Sequence, residues 1–120
     1  MKKRLLISLL TLLCCGTGAW ALERDTENYY ILSSLQDWQD FASLAQTVPT
    51  INARMIADID LGDDQTMVGT ISVPYQGTFD GQGHTLTVNY DKYDNITGVA
   101  PFACVGDATI QNLHVDGSII

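Results

Sequence analysis

"FDGQGHTLTV", residues 79 to 88, combines a turn signal with an alternating apolar pattern. Asp80-Gly81 is a frequent turn dipeptide, and Gly83 adds a second residue that bends the chain readily. Leu86 and Val88 then alternate with threonines, which is typical of a strand with one buried face. By itself the stretch allows three interpretations: an antiparallel hairpin, a glycine loop around a ligand, or a corner between strands of a repeating structure.

A spacing of 27 residues favours the corner. Apolar pairs recur at this distance: Ile59 and Leu61, Leu86 and Val88, Leu113 and Val115. Two segments that end in an aromatic residue do the same: Val73-Pro74-Tyr75 and Ala100-Pro101-Phe102. A chain that coils once per repeat stacks its equivalent apolar residues, and each coil covers the apolar face of its neighbour. We therefore predict one column in which Leu86 lies between Ile59 and Leu113, and another in which Val88 lies between Leu61 and Val115.

The surrounding patterns predict one helix and several strands. Residues 29 to 32 have the composition of a short strand. Ser34 followed by Asp37 is a capping-box pattern, and Pro49 is expected to end the helix that begins there. The apolar residues between them have helical spacing: Leu35, Trp38, Phe41, Leu44, Ala45 and Val48. Alternating apolar residues predict further strands over residues 53–61, 71–75, 86–90 and 110–115.

The ordered set of motifs resembles the opening of bacterial surface proteins with GLUG-type repeats. Its pieces, which follow the helix, are Asp58-Ile59-Asp60-Leu61, Gly77 to Leu86, Gly98 to Phe102, and Ile110 to Leu113. Two segments depart from the family pattern: Ala100-Pro101-Phe102 replaces a Gly-Leu-Phe-like triplet, and Met67-Val68-Gly69 lacks a tryptophan. The resemblance, over about residues 29 to 120, implies a mainly β fold, a right-handed parallel β-helix (solenoid) of about three turns. It also implies a secreted or surface-exposed, adhesin-like protein.

The amphipathic helix is expected to cap the N-terminal end of this β-helix, where an open strand edge and an apolar face would otherwise be exposed. No comparable segment follows the last repeat match. We therefore expect the last turn to be covered by further repeats or by a second subunit. The expected organisation is a signal peptide at 1–21, an N-terminal strand and capping helix at 22–52, and β-helix turns, incomplete at the C-terminus, at 53–120.

The N-terminal residues have the pattern of a secretory signal peptide. Residues 1 to 4 are basic, residues 5 to 13 are apolar, and Ala19 and Ala21 are small residues before a cleavage site. We expect cleavage between Ala21 and Leu22. The protein is then exported to the extracellular space or the cell surface, with a periplasmic location also open. The apolar run is too short to span a bilayer, so no transmembrane segment is expected after cleavage.

A lipoprotein signal, with lipid on Cys14 or Cys15, is the competing interpretation, although Leu13 is larger than the residue such a signal prefers. Cleavage after Ala21 leaves Cys104 without an internal disulfide partner, and we expect it to be a small buried residue. Removing the signal also changes the formal net charge from −8 to −11, because two lysines and one arginine are lost. A nucleic-acid partner is therefore not expected.

The carboxylates suggest two kinds of chemistry. The segment Asp58 to Asp64 resembles the start of a calcium loop, but Gly69 stands where the closing acid is needed. A weak surface cation shared by Asp63, Asp64 and Asp80 is left open. A glycosidase needs two carboxylates beside a cleft, and four residues are candidates for one outer face: Asp58, Asp60, Asp80 and Asp91. No nucleophile and base are paired in the sequence.

Several other residues have weaker functional signals. His84 and His114 lack a further ligand at metal-binding spacing, and both are expected to be exposed. Asn95-Ile96-Thr97 matches the pattern of a glycosylation acceptor. Because the signal peptide is of bacterial type, we interpret this match as a coincidence. Three tyrosines offer flat rings that sugars can stack on: Tyr75, Tyr90 and Tyr93.

We predict a non-catalytic secreted or cell-surface β-helix repeat protein that serves in adhesion, display or ligand binding. Host or matrix glycans or proteins are the expected partners, and neither a cofactor, a metal site nor a catalytic residue is predicted. The alternative is the N-terminal part of a polysaccharide-active β-helix enzyme, a lyase or glycosidase, with its active site beyond residue 120.

Overall fold

The structure, a computed structural model, describes residues 22 to 90 and 100 to 119. This part of the chain is mainly β with one α-helix, which confirms the predicted class. The helix, α1, is Leu35–Thr47. The strands are β1 (Glu23–Arg24), β2 (Tyr29–Leu32), β3 (Asn52–Met55), β4 (Ile59–Asp60), β5 (Thr78–Asp80), β6 (Thr85–Tyr90), β7 (Thr109–Gln111) and β8 (His114–Ile119). The predicted signal peptide with Cys14, Cys15 and Ala21 lies outside the described residues, as do Asp91, Tyr93 and Asn95.

The strands form two sheets. The five-stranded sheet has the order β1-β2-β3-β5-β7, and the three-stranded sheet has the order β4-β6-β8. From β3 onward, successive strands alternate between the two sheets, and each pairs in parallel with its neighbours. The pair β1–β2 is antiparallel. The five-stranded sheet is therefore mixed, which a purely parallel coil does not predict.

The stretch at residues 79 to 88 is a corner between the sheets. Its two strands, β5 and β6, belong to different sheets, so the antiparallel hairpin is wrong. The Gly81 N–H donates to the Gln111 carbonyl at 2.9 Å, and the Gly83 N–H donates to the Asn112 carbonyl at 2.8 Å. Gly83 has a φ of +79°, which glycine adopts without strain. This corner consequently lies directly against the next one along the chain.

The predicted columns are correct for one step and wrong for the next. Ile59 is in register with Leu86, 27 residues later. Leu86, however, pairs with Val115 rather than Leu113, and Val88 pairs with Gly117. Leu113 lies in the corner between β7 and β8, where it packs against the core.

The reason is that the corners differ in length. Phe79 pairs with Ile110, which lies 31 residues later. The corner that follows, from Ile110 to Val115, is two residues shorter than the one from Phe79 to Leu86. A parallel pair needs aligned strands but does not fix the length of the connection between them. A constant period in the sequence therefore misplaces the last strand.

The second repeat marker is also wrong. Val68 forms a parallel bridge with Phe102, and Tyr75 forms one with Val105, so Phe102 is not the counterpart of Tyr75. The predicted strand at 71–75 is absent, and Ile71 is 87% exposed. The predicted strands at 53–61 and 110–115 are each divided, because the chain bends at residues 56–58 and 112–113 and enters the other sheet.

The helix begins and ends as the sequence predicts. Ser34 is the N-cap, and its hydroxyl accepts a hydrogen bond from the Asp37 N–H at 3.2 Å. The Asp37 carboxylate accepts from the Ser33 N–H, one residue earlier than in an ideal capping box. The last helical hydrogen bond is donated by the Val48 N–H, and Pro49 cannot donate another.

One face of the helix packs into a cluster of aromatic rings, here called the aromatic cluster: Trp38, Phe41, Tyr75, Phe79 and Phe102. The Trp38 ring lies 6.0 Å from Phe79 and 5.6 Å from Phe102 between centroids. The Phe41 ring lies 5.5 Å from Tyr75 and 5.6 Å from Phe79. The polar atoms are paired as well, since Trp38 Nε1 donates to a backbone carbonyl at 3.2 Å and the Tyr75 hydroxyl to another at 2.8 Å.

We expect Trp38→Ala to lower the free energy of unfolding by about 3–5 kcal/mol, because it removes a fully buried ring and leaves a cavity. Ser43→Ala, an exposed position of the same helix, is the control and should change it by less than about 0.5 kcal/mol. Urea unfolding followed by fluorescence of the remaining tyrosines and by circular dichroism measures both. Equal midpoints for the two variants would show that the helix does not hold the core.

Gly77→Ala tests the close approach of neighbouring segments. An alanine Cβ at this position would stand 1.9 Å from the Ile51 carbonyl oxygen, so the backbone must shift. Gly83→Ala is the matched control, because its Cβ meets nothing within 4 Å and only the φ of +79° opposes it, at about 1–2 kcal/mol. We expect Gly77→Ala to lower the melting temperature more than Gly83→Ala. The reverse order in a thermal melt would contradict this packing.

Candidate functional site

A groove lies between the β1–β2 hairpin and the C-terminal half of α1. We call it the hairpin–helix groove and define it by six of its lining residues: Arg24, Asn28, Tyr30, Leu44, Val48 and Asn52. It consists of two adjoining cavities of about 290 and 310 Å³, which share Arg24, Tyr30 and Leu44. These volumes fall at the lower end of the range for small-molecule sites, about 300–1,000 Å³.

The antiparallel β1–β2 hairpin positions Arg24, the charged residue of the groove. Arg24 and Tyr30 are a cross-strand pair, so both side chains lie on the same face of the hairpin. The Arg24 guanidinium stacks 4.9 Å from the centroid of the Tyr30 ring, and its Nη1 donates to Asn28 Oδ1 at 2.7 Å. Asn28 has a φ of +71°, a conformation that asparagine tolerates better than most residues. The guanidinium is thereby oriented before any ligand binds.

The two faces of the hairpin differ in charge. The groove has Arg24 in its lining and no carboxylate. Glu23 lies on the opposite face, where it lines a separate cavity of about 290 Å³ together with Asp37. Within the described part of the chain, Arg24 forms no ion pair. The groove is therefore a local positive site on a strongly acidic chain.

A second arginine, Arg54, joins the turn of the β1–β2 hairpin to strand β3. From β3, Arg54 Nη1 contacts Asp25 Oδ2 at 3.0 Å, and Nη2 contacts Glu27 Oε1 at 2.9 Å. Its guanidinium also lies 4.2 Å from the centroid of the Tyr29 ring. The Tyr29 N–H, followed by the Glu27 N–H and Arg54, lowers the pKa of Asp25 below its usual value, although partial burial opposes this. Because both arms of Arg54 are engaged by the hairpin, its role is to hold one wall of the groove.

The carboxylates that the sequence singled out act on the backbone of the corners. Asp58 accepts a hydrogen bond from the Thr85 N–H at 2.9 Å, and Asp60 accepts one from the Gly62 N–H at 2.8 Å. Asp80 accepts from the Gln82 N–H at 2.9 Å and from the Asn112 side chain at 3.1 Å. The bond of Asp60 lies within one corner, whereas Asp58 and Asp80 also join segments that are distant in sequence.

Asp63 and Asp64, two of the three carboxylates considered for a weak surface cation, are engaged in hydrogen bonds. Asp63 accepts from the Asn89 side chain at 3.3 Å, and Asp64 accepts from the Thr66 N–H at 2.8 Å. No group of three or more histidine, cysteine, aspartate or glutamate side chains in residues 22–90 and 100–119 is arranged to hold a metal ion. Asp80, at the end of β5, is therefore not brought together with the pair that follows β4.

The two histidines differ in their contacts. His114 is exposed on β8, as predicted, and the His84 side chain is 34% exposed, with Nδ1 3.3 Å from Asp58 Oδ1. Cys104 is half-buried rather than fully buried. Over the described segments, no hydrogen bond joins a serine, threonine or cysteine side chain to either histidine. The arrangement therefore contains no activated nucleophile of the usual kind.

Two of the three tyrosines predicted to stack on sugars are not available to a ligand, and the third, Tyr93, lies outside the described residues. Tyr75 and Tyr90 are fully buried, and burial raises the pKa of both hydroxyl groups well above the usual value. Tyr30 is the tyrosine that lines the groove, and no pattern in the sequence distinguishes it from the other tyrosines. The segment from Arg24 to Tyr30 forms a hairpin that pairs these two residues. A hairpin prediction for this segment would therefore have placed Tyr30 beside Arg24.

Comparison with known proteins identifies no relative. No family model matches the chain, and neither a curated protein sequence nor a solved structure matches it. The resemblance to proteins with GLUG-type repeats therefore stays a prediction. Among the residues that the structure describes, no helix has the length and apolar character needed to cross a membrane.

We expect Asp25→Asn to destabilise the protein at neutral pH and to have little effect in acid. The folded-state pKa of Asp25 lies below its usual value of 3.8, so the ionised carboxylate stabilises the fold above that value. This contribution is lost as the pH falls through the lowered pKa. Thermal melts of both proteins between pH 7 and pH 2 should therefore converge at the acid end.

Asp107→Asn is the control for this experiment. Asp107 is exposed and makes no hydrogen bond or ion pair within the described residues. Its substitution removes the same charge without removing a contact, so its melting temperature should follow that of the unsubstituted protein. A constant difference between Asp25→Asn and the unsubstituted protein at every pH would contradict a role for the ionised carboxylate.

Proposed function

We propose that this chain is the N-terminal part of a non-catalytic, secreted or cell-surface protein built as a right-handed parallel β-helix, and that it serves in adhesion, display or ligand binding. One observation carries the proposal. The strands β3, β5 and β7 pair in parallel in one sheet, while β4, β6 and β8 pair in parallel in the other, and the chain visits the sheets alternately. A chain that winds in one direction around an apolar interior produces this order.

In this proposal, α1 caps the N-terminal end of the β-helix. The helix buries Trp38 and Phe41 against rings from later parts of the chain. At the other end, side chains that are equivalent to buried ones are open to solvent: Val105 is 48% exposed, Ile110 38% and Val115 51%. Further turns of the same kind, or a second subunit, would cover these side chains and pair the outer edges of β7 and β8.

Ligand binding, rather than catalysis, is favoured by how the polar side chains are used. The carboxylates of Asp58, Asp60 and Asp80 are engaged by backbone N–H groups within corners. A catalytic pair must instead face a substrate across a cleft. The hairpin–helix groove has a cation, amide side chains and an apolar wall, and these suit recognition of a ligand rather than its conversion.

The exported protein, expected to begin at Leu22, is tested for retention on immobilised polysaccharides and matrix proteins. We expect saturable retention of at least one of them, with no release of new reducing ends or unsaturated sugars into solution. Heat-denatured protein is the control for non-specific retention. Product release that increases with time would favour a polysaccharide lyase or glycosidase and overturn the non-catalytic proposal.

A further inference from the structure

We infer that the hairpin–helix groove binds a sugar residue that carries a carboxylate, such as a uronic acid unit of an acidic polysaccharide, with Arg24 as the group that recognises the carboxylate. This inference rests on the proposed ligand-binding function and adds the class of ligand to it.

Arg24 has the charge and geometry for this role. Its side chain is exposed and forms no ion pair within the described segments, whereas Arg54 is engaged by Asp25 and Glu27. A planar guanidinium binds a carboxylate through two parallel hydrogen bonds. Stacking on Tyr30 and the hydrogen bond from Nη1 to Asn28 restrict the side chain before binding, so less conformational entropy is lost when a ligand docks.

The remaining lining of the groove suits a sugar ring. Leu44, from the last turns of α1, and Val48, its C-cap residue, form an apolar wall that can face the C–H groups of the ring. Thr50 supplies a hydroxyl that donates and accepts hydrogen bonds, and Asn52 supplies an amide NH2 that donates, while its Oδ1 accepts from the Thr78 N–H at 2.9 Å. The two adjoining cavities of about 290 and 310 Å³ have room for a single sugar ring.

A peptide carboxylate is the main competitor, and the structure argues against it. An extended peptide binds most often by adding a strand to a free sheet edge. The edge beside the groove is β1, which is only two residues long, Glu23–Arg24. It offers too few backbone groups to hold a peptide in register, whereas a sugar needs only side-chain contacts.

Signal cleavage would strengthen the site. Leu22 lines the second cavity of the groove. Cleavage between Ala21 and Leu22 would leave a free α-ammonium group at this residue. The lining of the groove would then have a second positive charge in the exported protein, whereas the uncleaved precursor would have one.

The test is a calorimetric titration of the exported protein with trigalacturonate and with galactotriose, its neutral counterpart, at low ionic strength. We expect the acidic trisaccharide to bind and Arg24→Gln to weaken that binding at least tenfold. Arg24→Lys, which keeps the charge but not the planar fork, should be intermediate. Galactotriose should bind more weakly than trigalacturonate, and equally to all these proteins.

Glu23→Gln is the matched control, since it changes a charge on the neighbouring residue but on the opposite face of the hairpin. It should leave trigalacturonate binding within about twofold of the unsubstituted protein, and Arg24→Gln should keep the unsubstituted melting temperature. Absence of trigalacturonate binding, equal binding by Arg24→Gln, or tighter binding of a triglutamate peptide would each overturn the inference. If one of these results occurs and the protein is still retained by another polysaccharide or protein, the inference is wrong but the proposed function stands. Turnover of a polysaccharide would instead contradict the proposed function alone.

Discussion

The packing of Trp38 and Phe41 against rings from distant parts of the chain holds this structure together. Phe79 comes from β5, whereas Tyr75 and Phe102 come from two segments that pair with each other through isolated bridges. Neither bridge provides a ladder of hydrogen bonds, so these segments depend on side-chain packing for their position. Burial of large aromatic rings contributes strongly to stability, and edge-on ring contacts add about 0.5–1.5 kcal/mol each. The helix is therefore an integral part of the core and not an accessory to the sheets.

The alternation of the chain between two sheets explains why the carboxylates at the corners are engaged in hydrogen bonds. The chain must leave one sheet and enter the other within a few residues, and each corner exposes backbone N–H groups. Asp58, Asp60 and Asp80 satisfy several of these groups from their own or a neighbouring corner. An aspartate that is engaged in this way stabilises a turn. A high density of acidic residues at strand ends is thus a consequence of the architecture.

The groove arises from a different part of the chain. Its walls are a two-residue strand, the turn that follows and the last turns of the helix. Arg54 joins this hairpin to the sheet through two carboxylates, which leaves Arg24 as the cation that faces the open space. Arg24 faces the groove because it is paired with Tyr30, and a change of one residue in the pairing of β1 with β2 would turn its side chain to the opposite face of the hairpin.

The sequence by itself determined the local elements: the helix from its cap at Ser34 to Pro49, the alternating strand β6, the corner at Gly81, and the step from Ile59 to Leu86. These follow from short-range chemistry, in which capping, glycine conformation and side-chain alternation act over a few residues. Only the tertiary structure decided that Val115 rather than Leu113 pairs with Leu86, because corner lengths vary without disturbing the ladder. It also decided that Tyr75 and Tyr90 are buried while Tyr30 is accessible, because burial depends on packing between segments far apart in the chain, which residue type does not encode.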